Sequence, residues 1–447
     1  MKIKAVIPAV FTSAAMLLTS AFSAYAVEGL MNPDEELTDG IFTYELNDGK
    51  YTIISCDSTA IVEEIPELRN GYPVTAIGDR ALAGCTSISK LTIPDTVTSI
   101  GSSAFAGCTS LTEITLPKKL EIISNGLFMG CTNLGSVEIP DNTAMISSYA
   151  FYNCSSLTDV TLSESLETIQ PMAFAECSVL ENIDASKSEN YVFENGMLCS
   201  SDKKSIYRAS TALTGDVYIP DGIQTIEAGA FSVCAGIEHI FFPGSVTYIG
   251  DDAFGYCIGL KSVDFSEGLA TIADIAFKEC YALESLQLPT TVSDIGEGAF
   301  YNCTSLNKVI IPEGVKNIGV GAFASCQQLK NISVPKSVAI IGDNAFGFSL
   351  NQDGTYTADS DFTMSVYSGT AGEKYAKAND FKHTTVDKSL KGLVFAIVGI
   401  GLLAAAGVFA VVLMMRSKKG APGSVKKADK LAREKEEEEN YKKIIED

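Results

Sequence analysis

The sequence contains no tryptophan and only two histidines, His239 and His383. Histidine is the side chain used most often for acid–base catalysis and for binding transition metals, so two distant copies provide little for either task. The motifs H-E-x-x-H, C-x-x-C and G-x-S-x-G are also absent. The sequence therefore predicts a protein that is not an enzyme and that uses no metal or cofactor.

Basic residues are scarce as well. The chain has 33 lysines and arginines against 55 aspartates and glutamates, which gives a formal net charge of −22. The excess of acid lies before residue 392, because the last segment carries slightly more basic than acidic residues. Such a surface repels nucleic acid and anionic lipid headgroups, and it favours neutral or cationic partners.

What the chain does contain is a repeated unit of 23 residues, of which CTSLNKVIIPEGVKNIGVGAFAS, starting at Cys303, is one clean copy. Leucine or isoleucine at position 3 after the cysteine and apolar residues at positions 6 and 8 give a pattern that ends with the alternation of a strand, and the residue at position 9 is usually proline, which ends that strand. The cysteine recurs in two blocks, at Cys85, Cys108, Cys131, Cys154 and Cys177, and then at Cys234, Cys257, Cys280, Cys303 and Cys326. This period and pattern predict a leucine-rich-repeat solenoid, mainly β, with a parallel ladder, short helical turns and about eleven coils.

Breaks in the period predict the domain organisation. The two repeat blocks span residues 81–185 and 217–348, and the segment between them, 186–216, has the turns and apolar runs of a β-hairpin insertion. A solenoid needs caps to hide its open ends. We therefore assign residues 27–80 to an N-terminal cap and residues 349–391 to a C-terminal cap and stalk.

The beginning of the chain carries the signs of export. Lys2 and Lys4 precede an apolar stretch, and Ala24-Tyr25-Ala26 is a small-residue cleavage site. These features predict a secretory signal peptide over residues 1–26. An uncleaved anchor helix is the alternative interpretation.

Near the other end, residues 392–415 carry no charge and are long enough to span a bilayer as a transmembrane helix. Arg416, Lys418 and Lys419 follow at once. The positive-inside rule then places the tail, residues 416–447, in the cytoplasm and the repeats outside the cell. The predicted location is the cell membrane, crossed once.

Twelve cysteines in an exported chain suggest disulfides, but ten of them share one repeat position, and only Cys56 and Cys199 lie elsewhere. A parallel ladder sets these side chains beside one another rather than facing. Cysteine also behaves as a small, readily buried residue. We therefore expect free, buried thiols.

The unit C-x-x-L-x-x-I-x-I-P-x-x-V-x-x-I-G-x-x-A-F resembles that of the BspA-like leucine-rich-repeat surface proteins. The resemblance covers residues 81–346 and recurs ten times; the break at 186–216 and the ending SVYSGTAGEKYAK at 365–377 also resemble that family. It implies a cell-surface protein that adheres to host or microbial surfaces. The resemblance brings with it no ligand and no catalytic residue.

Position 7 of the unit, between the two apolar strand residues, should face outward and is free to vary. It reads Thr92, Thr115, Glu138, Thr161 and Asp184 in the first block, and Phe241, Asp264, Gln287, Ile310 and Ser333 in the second. An exposed aromatic residue on a rigid ladder is a plausible recognition anchor. The competing interpretation is that the insertion covers and buries Phe241. The candidate ligand-binding residues are His239, Phe241, Asp264, Gln287 and Ile310.

These observations favour a non-enzymatic surface protein that binds an extracellular protein or a glycan on a host or microbial surface. One alternative is a structural protein that organises the cell envelope. A receptor that signals through its short tail is another. Nucleic acid is not an expected partner, and the sequence leaves the oligomeric state open.

Overall fold

The structure, a computed structural model, describes residues 38–386. The predicted signal peptide, membrane helix and tail lie outside these residues. Among residues 38–386 no helix is long and apolar enough to cross a membrane.

Short strands dominate the described chain. Up to the insertion they are β1 (Phe42–Asn47), β2 (Lys50–Cys56), β3 (Leu68–Arg69), β4 (Tyr72–Ile77), β5 (Lys90–Thr92), β6 (Ser99–Ile100), β7 (Glu113–Thr115), β8 (Ile122–Ile123), β9 (Ser136–Glu138), β10 (Met145–Ile146), β11 (Asp159–Thr161), β12 (Thr168–Ile169) and β13 (Asn182–Asp184). The remaining elements are β14 (Tyr191–Glu194), β15 (Met197–Ser200), β16 (Ser205–Ala209), β17 (Gly215–Tyr218), β18 (Thr225–Ile226), β19 (Ile237–Phe241), β20 (Tyr248–Ile249), β21 (Ser262–Asp264), β22 (Thr271–Ile272), β23 (Ser285–Gln287), β24 (Asp294–Ile295), β25 (Lys308–Ile310), β26 (Asn317–Ile318), β27 (Asn331–Ser333), β28 (Ile340–Ile341), β29 (Phe348–Leu350), β30 (Tyr356–Ala358), β31 (Thr363–Val366), helix α1 (Ala371–Ala378) and β32 (Lys382–Thr385).

Each repeat supplies one strand to each of two parallel ladders. The first ladder holds the three-residue strands that follow the cysteine, such as β11 and β13, in which Val160 pairs with Ile183. The second ladder holds the two-residue strands of the return half, such as β22 and β24, in which Ile272 pairs with Ile295. In both cases a residue pairs with its equivalent in the next repeat. The coils therefore stack in register.

The core is a set of columns, one for each apolar position of the repeat. The phenylalanines of the return half stack with nearly parallel rings; for example, Phe277 and Phe300 have centroids 5.2 Å apart and planes 4° apart. The repeat cysteines lie in the same core, and all twelve cysteines are free. The prediction of free, buried thiols is confirmed at the ten repeat positions.

The structure has roughly 15 turns, so the prediction of about eleven coils is too low. The segments predicted as caps also wind as coils. At the C-terminal side β31 and β32 extend the first ladder beyond β27, and at the N-terminal side β2 and β4 extend the second ladder before β6. The repeat pattern is lost at β31 and β32, but main-chain hydrogen bonds still continue the first ladder there, because these bonds do not depend on side-chain identity.

At the insertion, an antiparallel hairpin of β14 and β15 joins β16, which returns to the second ladder beside β18. Arg208 on β16 is fully buried. Its Nη2 donates to the Cys177 carbonyl oxygen (2.8 Å), and its Nη1 donates to those of Ser232 (3.0 Å) and Gly229 (3.2 Å). One guanidinium thus links the turn that ends the first block to the turn that starts the second.

Helix α1 lies at the end of the second ladder. The Tyr375 hydroxyl accepts a hydrogen bond from the Phe346 N–H and donates one to the Phe346 carbonyl oxygen, both at 3.0 Å. Glu373, in the first turn of the helix, accepts from the Gly369 N–H at 2.7 Å. The Tyr375 contacts satisfy main-chain groups of Phe346 that another coil would otherwise pair.

Candidate ligand-binding surface

Position 7 of each unit faces away from the core, as the alternating burial of the first-ladder strands shows. In the second block, hydrogen-bonded register places Tyr218 beside Phe241, Phe241 beside Asp264, and Gln287 beside Ile310. We call Tyr218, Phe241, Asp264, Gln287 and Ile310 the outward stripe. Four steps of about 4.8 Å make this stripe roughly 19 Å long.

The outstanding feature of the stripe is an aromatic pair. The rings of Tyr218 and Phe241 stack with centroids 4.6 Å apart and planes 10° apart. Tyr218 is 59% exposed, whereas Phe241 is half-buried. Such stacking contributes about 0.5–1.5 kcal/mol beyond area burial. It also fixes the orientation of the exposed ring, so that little side-chain freedom is left to lose on binding.

The inserted hairpin belongs to the second ladder, whereas Phe241 belongs to the first. The half-burial of Phe241 includes its contact with Tyr218, the residue at the equivalent position of the preceding coil.

Tyr218 is not among the residues predicted from the sequence for this surface. In the coil of Tyr218, Thr211 takes the place of the repeat cysteine. Position 7 is found by counting from that cysteine, so the pattern does not point to Tyr218. The signal was nevertheless present. Val217-Tyr218-Ile219-Pro220 matches the strand and proline of the unit and places Tyr218 at position 7.

Polar groups flank the aromatic pair. The His239 Nδ1 lies 2.6 Å from the Ser262 Oγ, and the Lys261 ammonium pairs with Glu238 at 2.8 Å. Burial raises the pKa of Asp264 above the ordinary range of an aspartate. Because of the contact with Ser262, His239 already has a hydrogen-bonding partner within the protein.

The other predicted residues differ in exposure. Gln287 is exposed and Ile310 is half-buried. The structure places the five predicted residues on one face, four at position 7 and His239 two residues before Phe241. Within residues 38–386 no three histidine, cysteine or acidic side chains are placed to hold a metal ion. The surface offers stacking, hydrogen bonding and apolar contact, which are means of recognition.

Comparison with solved structures places the fold. A leucine-rich repeat protein from Eubacterium ventriosum is 24% identical, with a TM-score of 0.51, over 71% of this chain and 98% of that one. The pneumococcal vaccine antigen PcpA is 14% identical, with a TM-score of 0.50, over 79% of this chain and 98% of that one. At these low identities the likeness shows the fold alone.

A search of curated proteins finds no relative of this chain. The model of the BspA type leucine rich repeat region, in contrast, matches six copies over residues 75–201 and 215–352, which is more than half of the chain. The chain therefore belongs to the BspA-type leucine-rich-repeat family.

Proposed function

We propose that this chain is a non-enzymatic cell-surface protein that binds an extracellular protein through the outward stripe of its first ladder. The observation that carries the proposal is the exposed Tyr218 ring held on Phe241. Tyrosine is among the residues that supply the largest share of binding energy in protein interfaces. The strand that carries Tyr218, β17, pairs in parallel with β19, which in turn pairs with β21, so the anchor is held on a hydrogen-bonded ladder.

The shape of the stripe favours a macromolecule over a small ligand. It is long, narrow and open, with Gln287 and Ile310 beyond the aromatic pair. Aromatic residues are enriched in protein interfaces, and polar residues surround them there. A glycan on a host or microbial surface is the second candidate, because an exposed tyrosine ring also stacks on sugar rings.

The proposed location is the outer face of the cell membrane, with the tail in the cytoplasm. It rests on the export signal at residues 1–26 and the uncharged stretch at 392–415. Protease added to intact cells should remove the repeats and spare an epitope tag placed on the tail. Loss of that tag from intact cells would contradict the proposed orientation.

The binding proposal is tested by capture with the full chain. The probes are host matrix proteins, whole cells of other bacteria and purified cell-wall glycan. We expect capture of a protein probe, and weaker capture by a Tyr218→Ser variant than by Thr115→Ser, the matched change at position 7 of the first block. Capture of wall glycan alone, equal in both variants, would instead favour the envelope-organising alternative.

A further inference from the structure

The second ladder is interrupted at the insertion, where β12 and β16 belong to separate sheets. A cavity of about 560 Å³ opens there, and we call it the hairpin cavity. It lies within the roughly 300–1,000 Å³ that small-molecule sites span. Residues from β12 to β18 line it, among them Glu167, Asn190, Asp202, Tyr207 and Gln224.

The cavity exists because side chains take the place of a strand. The Tyr191 hydroxyl accepts a hydrogen bond from the Ile169 N–H (2.8 Å) and donates one to the Glu167 carbonyl oxygen (3.3 Å). The Asn190 Nδ2 donates to the Leu166 carbonyl oxygen at 3.0 Å. The edge of β12 is therefore satisfied without a neighbouring strand, and the space that a strand would fill stays open between fixed walls.

One wall is aromatic. The rings of Tyr191 and Tyr207 meet edge to face, with centroids 5.2 Å apart and planes 83° apart. Tyr191 is buried and Tyr207 is half-buried. The buried ring supports the half-buried one, so the cavity has a fixed ring against which the C–H face of a sugar can pack.

The remaining lining is rich in hydrogen-bonding groups that the protein itself does not use. In the described part of the chain, the side chains of Glu167, Ser201, Gln224 and Thr225 make no hydrogen bond with another protein group. Together they offer a carboxylate, an amide and two hydroxyls. This mixture of donors and acceptors matches the hydroxyls of a saccharide better than it matches an apolar ligand.

Charge narrows the ligand class further. Lys204 is the single basic residue that lines the cavity, and its ammonium lies 3.7 Å from the Asp202 carboxylate. Glu167 adds a second acid to the lining. The lining therefore has two carboxylates and one ammonium, and this excess of negative charge disfavours an anionic ligand.

We infer that the hairpin cavity binds a neutral saccharide of one or two rings. The Tyr207 ring packs against the sugar, and Glu167 and Gln224 bind its hydroxyls. This site is separate from the outward stripe, because the stripe lies on the first ladder and the cavity on the second. Saccharide binding in the cavity and protein binding on the stripe can therefore be tested separately, and failure of one leaves the other unaffected.

Saturation-transfer NMR on the full chain tests the inference. The probes are glucose, galactose, mannose, N-acetylglucosamine and their disaccharides, with sialic acid as the anionic comparison. We expect transfer to at least one neutral sugar and none to sialic acid. Gln224→Ala and Glu167→Ala, both at exposed positions, should each weaken that binding at least fivefold. Tyr218→Ser should leave it unchanged.

Two results would overturn the site. One is the absence of transfer to every neutral sugar by a chain whose circular dichroism shows it folded. The other is binding that Tyr218→Ser abolishes while the two cavity variants keep it, which would place sugar recognition on the stripe. Tyr207→Phe keeps the ring and its packing, so it should retain most of the binding.

Discussion

The Cys303 thiol donates a hydrogen bond to the Phe277 carbonyl oxygen, 3.2 Å away in the preceding coil. The same relationship, between a cysteine and the main chain 26 residues earlier, recurs down both blocks, at Cys108, Cys131, Cys154, Cys177, Cys257, Cys280, Cys303 and Cys326. Cysteine suits this position because it is small, tolerates burial and still donates a proton. The repeat therefore uses its cysteine as a packing and hydrogen-bonding residue.

This role can be measured by comparing two cysteines. Cys234 is as buried as Cys303, but its thiol lies 3.8 Å or more from the nearest carbonyl oxygens. Cys303→Ala and Cys234→Ala remove the same atoms, so the cost of the cavity should be similar. We expect the free energy of unfolding in urea to fall by about 0.5 kcal/mol more for Cys303→Ala, the low end of a hydrogen bond's contribution. Equal losses would contradict a role for the bond.

Burial should also keep the thiols unreactive. It raises the pKa of both Cys177 and Cys234 to about 11, so almost no thiolate exists at neutral pH. We predict that a thiol reagent modifies few cysteines in the folded protein and close to all twelve after denaturation without reductant. Mass spectrometry that finds most of them paired as disulfides would refute this account.

Arg208 should join the two repeat blocks. Its three hydrogen bonds reach both sides of the insertion, and the geometry suits a planar guanidinium. We expect Arg208→Ala to reduce the free energy of unfolding by about 3 kcal/mol, since carbonyl groups on both sides lose their donors. Arg208→Lys should recover less than half of that loss. Complete recovery with lysine would show that the positive charge is sufficient and that the planar guanidinium geometry is not needed.

Glu227 should make stability depend on pH. Burial raises its pKa above the ordinary value of 4.5, and a hydrogen bond with Ser205 opposes this only in part. The folded protein therefore holds this proton to a higher pH than the unfolded chain does, and stability falls as pH rises from about 4.5 through the raised pKa. Glu227→Gln removes this loss.

Thermal unfolding between pH 4 and pH 8 measures the effect. The advantage of Glu227→Gln over the unsubstituted chain should grow as pH rises and then level off. Glu284→Gln removes a carboxylate at an exposed position and is the control for the change in net charge. A difference for Glu227→Gln that does not change with pH would contradict the assigned burial effect.

Much of this fold can be predicted from the sequence because the repeat unit occurs ten times. Each copy gives the strand and the apolar columns, and most copies also give the proline that ends the strand, as in the unit from Cys303. The count of coils does not follow, since β31 and β32 extend a ladder through main-chain bonds without the motif. A pattern of side chains cannot report bonds made by the backbone alone.

The candidate sites were less predictable. Phe241 stood out because it breaks the polar pattern at position 7, but its partner Tyr218 lies in a coil that lacks the cysteine. The hairpin cavity depends on Tyr191 taking the place of a strand beside β12, and no sequence period signals that substitution. Arg208 is likewise a charged residue that composition alone would place on the surface.

A comparison of affinity with stability decides whether the aromatic pair on the outward stripe is a binding anchor. Phe241→Ser and Tyr218→Ser are titrated, as full chains, against the protein probe that the unsubstituted chain captures, and their urea unfolding is followed in parallel. We expect each variant to lose affinity by roughly tenfold or more, which corresponds to about 1.4 kcal/mol, and to remain folded. Unfolding by Phe241→Ser with unchanged affinity per folded molecule would contradict this expectation and would make Phe241 a core residue.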